Sequence, residues 1–244
     1  MGRKRADLLL VERGLFDSRA KARAAIEAGR VLAGGTAVRR PSDLLDDLSE
    51  ITAQPAHPWV GRAALKLAHA LDLWPIFIEG RFVLDVGAST GGFTEVCLDR
   101  GAAHVCAVDV GRGQLHPRLA SDSRVQSLEA TDARDLDAAR LGFVPDLVVC
   151  DVSFISLSKA LPRALDLAAP GADLVVLVKP QFEVGPALVG KGGLVKDEAA
   201  RARALEEAQT FLVESGWTVR DKVQSPITGG DGNVEFLVWA TKQS

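Results

Sequence analysis

A glycine-bearing run, DVGASTGGF from Asp85 to Phe93, follows a short apolar stretch and leads into helix-forming sequence. Gly87, Gly91 and Gly92 at such a junction let the backbone pass close to a ligand lying across strand ends. Nicotinamide-binding loops read GxGxxG, and here Ser89 stands at the second glycine of that pattern. Asp85 lies two residues before Gly87, where a carboxylate suits the cationic amino-acid end of a sulfonium cofactor. Asp109 comes 24 positions later, about where an acceptor for ribose hydroxyls belongs. Asp132, in EATDARD with Ala133 beside it, is placed to accept from an adenine amino group. Three carboxylates ending three successive predicted strands would repel a pyrophosphate, so S-adenosylmethionine is the expected cofactor. A lone glycine loop can also be a plain tight turn, and the acids around it are what favour the ligand.

Four further residues carry the chemistry that such a donor needs: Lys66 in GRAALKL, Asp151 in CDVSF, Lys179 in VKPQFE and Glu235 in GNVEFL. No Asp/Asn-Pro-Pro-aromatic motif follows the fourth predicted strand, which argues against methylation of a base amino group. A ribose 2′-hydroxyl is a poor nucleophile near neutral pH and must be held in line while a base draws off its proton. Lys179 is the expected base, since desolvation and a second cation, Lys66, would favour the neutral amine, with Asp151 and Glu235 orienting the ammonium groups. Alignment by itself lowers such a barrier by roughly 7–11 kcal/mol in favourable models. Each residue has a plainer reading too. Lys179 can simply end a strand at the surface, Asp151 can cap a helix near Ser156, and Lys66 can be a solvated helix residue.

Positioning these groups requires a sheet. Apolar runs alternate with helical stretches from about residue 80, which predicts strands at Phe82 to Val86, His104 to Asp109, Val125 to Leu128, Asp146 to Cys150, Asp173 to Val178, Trp217 to Val223 and Asn233 to Ala240. The last two are joined without a helical crossover, as in an antiparallel hairpin added to a parallel sheet. The fold class is therefore α/β, a seven-stranded Rossmann-like methyltransferase sheet, with Asp151 and Lys179 at neighbouring strand ends.

The amino-terminal segment has another character. Gly14 closes a first short helix, Ser18 is a good N-cap for a second, and Gly29 stops it. A Gly34–Gly35 turn then makes a hairpin, with Ile51 opening a third strand. Arg5, Arg19, Lys21, Arg23 and Arg30 are the candidate RNA contacts, Arg19 and Arg23 falling one helical turn apart. A solvated charged face is the alternative. Residues 54–59, with Pro55 and Pro58, read as a stiff connection, and the expected division is 1–54, a linker at 55–60, and 61–244.

The whole chain, 244 residues with net charge −3, looks indifferent to nucleic acid. Residues 1–40 nonetheless hold ten Lys or Arg against four Asp or Glu, a surplus of six that leaves a net nine negative charges for the remainder. Cations gathered at one end of an acidic enzyme suggest a nucleic-acid-facing arm. Every greasy run is interrupted by charge, and no apolar leader with a cleavage site follows Gly2, Arg3 and Lys4, so the expectation is a cytoplasmic protein without membrane association. Three cysteines without CxxC spacing and four scattered histidines predict no metal.

SRAKARAAIEAGRV with its glycine hairpin resembles the small α-L RNA-binding domain of ribosomal small-subunit protein four, several pseudouridine synthases and bacterial tyrosyl-tRNA synthetases, over about residues 5 to 53. Across nearly its full length, LLVERGL, LDVGASTGGFT, VDVGRGQLHPRL, CDVSFISL, VKPQFEVG, GKGGLVKD and SPITGGDGNVEFL, the chain resembles the hemolysin A, or TlyA, family of ribosomal RNA 2′-O-methyltransferases, with an FtsJ-like catalytic half. The resemblance implies that Lys66, Asp151, Lys179 and Glu235 form a Lys-Asp-Lys-Glu tetrad. It also implies methylation of cytidine ribose in small-subunit RNA, large-subunit RNA or both, with ribosomal RNA or ribosomal subunits as the partner. Three other readings stand beside it: a non-catalytic RNA-binding assembly factor, a nicotinamide-dependent oxidoreductase, and, weakest, a pore-forming hemolysin.

Overall fold

The computed structural model describes residues 2–243, in two compact units, Met1–Pro58 and Trp59–Ser244. In the first, β1 (Arg3–Arg5) precedes α1 (Ala6–Glu12) and α2 (Arg19–Glu27), followed by β2 (Val31–Ala33), β3 (Thr36–Ala37), β4 (Leu44–Asp46) and β5 (Ile51–Ala53). Ser18 caps α2, its Oγ accepting from the Lys21 N–H at 3.3 Å. The expected glycine hairpin forms in an antiparallel sheet ordered β3-β2-β5. The antiparallel β1–β4 ribbon has no counterpart in the sequence reading, because Arg-Lys-Arg carries no apolar alternation. Ala6, Leu10, Ala22, Ala25, Ile26 and Val31 fill the core of this unit.

The second unit runs α3 (Ala64–Leu73), β6 (Phe82–Val86), α4 (Gly92–Asp99), β7 (His104–Val108), α5 (Pro117–Ala120), β8 (Val125–Leu128), α6 (Ala138–Leu141), β9 (Leu147–Cys150), α7 (Leu157–Ala160), α8 (Pro162–Leu167), β10 (Asp173–Val178), α9 (Pro180–Glu183), α10 (Glu198–Glu214), β11 (Trp217–Gln224) and β12 (Phe236–Lys242). One seven-stranded sheet results, ordered β11-β12-β10-β9-β6-β7-β8. The strands β8, β7, β6, β9 and β10 are mutually parallel, while β12 runs antiparallel between β10 and β11, as the sequence predicts. Every residue of β9 and β10 is buried, the mark of a sheet covered on both faces, and a hydrophobic cluster lies against each face.

One boundary moves. Glu235 is expected inside the seventh strand, but β12 begins at Phe236 and leaves Asn233 and Glu235 in the preceding loop. The buried Asn233 side chain accepts from the Val195 N–H at 3.0 Å and donates to the Gly193 carbonyl at 2.8 Å, holding that stretch away from a simple ladder.

Candidate active site

Parallel strands direct their carboxyl ends to one edge, and there the loops after β6, β7, β8, β9 and β10 meet. Three non-glycine residues with left-handed backbone fall in these loops: Ser89 (φ +49°), Ala130 (φ +51°) and Phe154 (φ +65°). Strain of this kind persists where surrounding contacts over-determine it, commonly at functional edges.

Asp85, in β6, is fully buried. Its Oδ2 accepts from the Thr94 hydroxyl at 2.6 Å, and its Oδ1 is buried with no hydrogen-bond partner. Burial pushes the carboxyl up to about 7; the Thr94 hydrogen bonds oppose this, and the Asp151 and Asp109 charges add to it. An orphaned, buried carboxylate oxygen beside a glycine loop fits a ligand bearing an ammonium group. Gly87 (φ +82°) shows how close the backbone lies, since a Cβ there would be 2.9 Å from the Asp151 carbonyl oxygen. Asp109 accepts from the Ser89 N–H at 2.8 Å and the Gly111 N–H at 2.7 Å, which ties the loops after β6 and β7 together.

Three of the residues proposed around the cofactor, Phe93, Gly92 and Asp132, also have structural work. Phe93 is 2% exposed, its ring in the core. Gly92 permits close helix packing, as a Cβ there would lie 3.0 Å from the Ala64 nitrogen. Asp132 caps a short 3-10 turn that begins at the half-buried Ala133, and its carboxylate is engaged by the Arg134 guanidinium at 2.6 Å. This pairing holds the Asp132 carboxyl below its usual range and competes with an adenine amino group for its oxygens. Gly91 (φ +94°) keeps its place in the loop, where a Cβ would clash with the Leu119 and Leu115 side chains.

Lys66, Asp151, Lys179 and Glu235 are brought together as two ion pairs. Lys66 Nζ lies 2.5 Å from Glu235 Oε2, with Lys66 6% and Glu235 2% exposed. Lys179 Nζ lies 2.6 Å from Asp151 Oδ1 as an ion pair and donates to Ser153 Oγ at 2.8 Å. The register links the pairs: Val178 faces Phe236 across β10 and β12, so Lys179 and Glu235 follow and precede partnered positions. These facts displace the plainer readings. Lys66 and Lys179 are buried, and Ser156, not Asp151, stands at the N-cap of α7. Together the four groups form a net-neutral, desolvated cluster that offers acceptors and donors to a hydroxyl.

Sequence reasoning missed Ser153, Asn233, Thr94 and Phe154. Phe154 is 90% exposed, three residues beyond Asp151, with its ring 5.1 Å from that of Phe182. A large aromatic held in solvent by a strained backbone is a ready stacking surface for a base. Its only sequence signal was an aromatic inside a polar turn.

In the first unit, Asp7 is fully buried and grips two expected RNA contacts, Arg5 at 3.0 Å and Arg19 at 2.9 Å. Lys21 pairs with Asp17 at 2.8 Å, whereas Arg23 and Arg30 are exposed and form no ion pair among the described residues.

Residues 59–242 match the model of the FtsJ-like methyltransferase family, and residues 4–50 that of the S4 domain. Over 244 residues the chain is 47% identical to a 16S/23S rRNA (cytidine-2′-O)-methyltransferase TlyA of Mycobacterium tuberculosis, covering 99% of this chain and 91% of the relative. It is 36% identical to Hemolysin A of Brachyspira hyodysenteriae, covering 96% and 98%. A solved structure from Streptococcus thermophilus, described as a candidate hemolysin, superposes with a TM-score of 0.78 at 38% identity, covering 100% of this chain and 90% of that one.

Proposed function

The chain belongs to the TlyA/hemolysin A family of FtsJ-like methyltransferases with an S4 domain, and we propose that it transfers a methyl group from S-adenosylmethionine to the ribose 2′-hydroxyl of cytidine in ribosomal RNA. The observation that carries this reading is the pair of buried ammonium–carboxylate contacts, Lys66–Glu235 and Lys179–Asp151, at the strand edge that holds the glycine loop.

When bound, the cofactor supplies an electrophilic methyl carbon on a sulfonium. Asp85, through its unpaired buried oxygen, would hold the ammonium end, and Asp109 would hold the ribose. Lys66, fixed by Glu235, donates to the substrate hydroxyl and orients it. Lys179 is the base of this reading: the hydroxyl proton passes to the Lys179–Asp151 pair as the oxygen–methyl bond forms and the methyl–sulfur bond breaks, with Ser153 holding the Lys179 nitrogen. The cluster excludes water, which strengthens each of these contacts. The S4 domain supplies affinity through phosphate contacts from Arg5, Arg19, Arg23 and Arg30, and its ribosomal RNA substrate places the work in the cytoplasm.

Mapping of 2′-O-methyl groups on ribosomal RNA and isolated subunits treated with the protein and tritiated cofactor tests this directly. Lys179→Ala is expected to abolish transfer while cofactor binding by calorimetry persists. Wild-type protein that binds RNA without transferring label to either subunit's RNA would leave an assembly factor instead.

A further inference from the structure

After β7 the chain makes an irregular loop, Asp109 to His116, with no strand ladder of its own. Both oxygens of Asp109 depend on it or its neighbour, because Oδ1 accepts from the Gly111 N–H at 2.7 Å and Oδ2 from the Ser89 N–H at 2.8 Å. What fixes the loop is the corner that follows β8. The Glu129 carboxylate accepts from three successive N–H groups, Gly113 at 2.9 Å, Gln114 at 2.7 Å and Leu115 at 3.1 Å. These donors hold its carboxyl below the usual range, the Leu115 amide contributing most. Ala130 N–H donates to the Gly111 carbonyl at 2.7 Å, and Thr131 N–H to the Asp109 carbonyl at 2.9 Å. Ala130 takes a left-handed backbone (φ +51°), so that side chain and main chain of this corner engage one loop. The loop then reaches the glycine run, with the Ser89 hydroxyl 3.4 Å from Gln114 Oε1 and Leu115 packed where a Cβ on Gly91 would fall 2.8 Å from its Cδ1.

We propose that Glu129 is a positioning residue for the cofactor pocket: by capping the amides of Gly113, Gln114 and Leu115 it sets the 109–115 loop so that Asp109 presents its carboxylate to the cofactor ribose. This rests on the S-adenosylmethionine reading above. A carboxylate in a concavity of successive amides is a strong local clamp, and among the described residues the amides of Gly113, Gln114 and Leu115 are bonded by no charged side chain but Glu129, while Asp109 itself takes the Gly111 N–H.

The full chain carrying Glu129→Gln, Glu129→Ala or Ala130→Gly is titrated with S-adenosylmethionine by calorimetry and assayed for transfer. Glu129→Gln keeps an acceptor for Gln114 and Leu115 but loses the second charged oxygen, and is expected to weaken cofactor binding about threefold; Glu129→Ala weakens it about tenfold. In both, KM for the cofactor rises in step while kcat at saturating cofactor stays within about twofold and RNA affinity is unchanged. Ala130→Gly, which adopts the same corner without strain, keeps wild-type affinity. The proposal is overturned if both Glu129 variants bind the cofactor like wild type, if kcat falls with KM unmoved, or if Ala130→Gly loses as much as Glu129→Ala. Wild-type protein that fails to bind S-adenosylmethionine overturns the cofactor reading and this inference with it, whereas normal binding by all variants removes only the inference.

Discussion

Lys66 and Glu235 are 169 residues apart in sequence, yet their charged groups meet at 2.5 Å in the protein interior. Removing one partner strands the other charge, at a cost of about 3–5 kcal/mol, while an apolar pair of similar volume is close to neutral. Lys66→Met and Glu235→Leu singly should therefore lower stability by roughly 3 kcal/mol each, and the double variant by much less. Denaturant melts of all three check this. Methyl transfer should stay lost in the double variant, separating the pair's chemical role from its structural one.

Asp85 gives the site a proton linkage. With its carboxyl at about 7, it is largely neutral below that pH and charged above it, and a cationic ligand group prefers the charged form. Cofactor affinity should rise as pH climbs toward about 7, by at most about tenfold per unit, and then level off. Without ligand the sign reverses: a carboxyl raised from 3.8 penalises the folded state, so stability falls as pH rises from about 4 to 7. Calorimetry at stepped pH on wild type and Asp85→Asn decides it, the variant being flat in both measurements.

Phe154 should act on RNA and not on the cofactor. Losing a base-stacking ring costs about 1–3 kcal/mol, so Phe154→Ala should raise KM for RNA by roughly five- to a hundredfold with cofactor affinity unchanged. Phe154→Trp should restore most of it. Equal KM values for wild type and alanine variant would remove the ring from the interface.

Asp7 organises the Arg5–Arg19 pair, and the Arg5 and Arg19 guanidiniums hold its carboxyl down at about 2. A depressed carboxyl stabilises above its unfolded value, and that contribution disappears as pH falls from about 4 toward 2. Both arginines are about half exposed, so Asp7→Asn should cost only about 1–2 kcal/mol at neutral pH. Arg5→Ala with Arg19→Ala should make the salt dependence of RNA affinity shallower by about one to two in log–log slope. An unchanged slope, measured by filter binding from low to moderate salt, would place RNA elsewhere.

The strand ends were legible because the apolar runs are long and those of β7, β8, β9 and β10 are each followed by a charged residue. Asp85, Asp109, Asp151 and Lys179 could be placed on one edge without coordinates. Lys66 and Glu235 could be named but not joined, since their meeting depends on the position of β12 beside β10. Gly92 and Phe93 also pack in the interior, which the motif does not spell, because residues that approach a ligand and residues that pack share the same letters. The Asp132 partner, Arg134, stood two positions away in plain view. Ser153, Asn233 and Phe154 depend on loop dihedrals that no periodicity encodes.

β12 is threaded between β10 and β11, although it follows both in the chain. During synthesis the interior of the sheet must stay open until Phe236–Lys242 emerges, and Glu235 arrives with it. Until that strand is inserted Lys66 lacks its Glu235 partner, so the buried pair forms in the same event that closes the sheet.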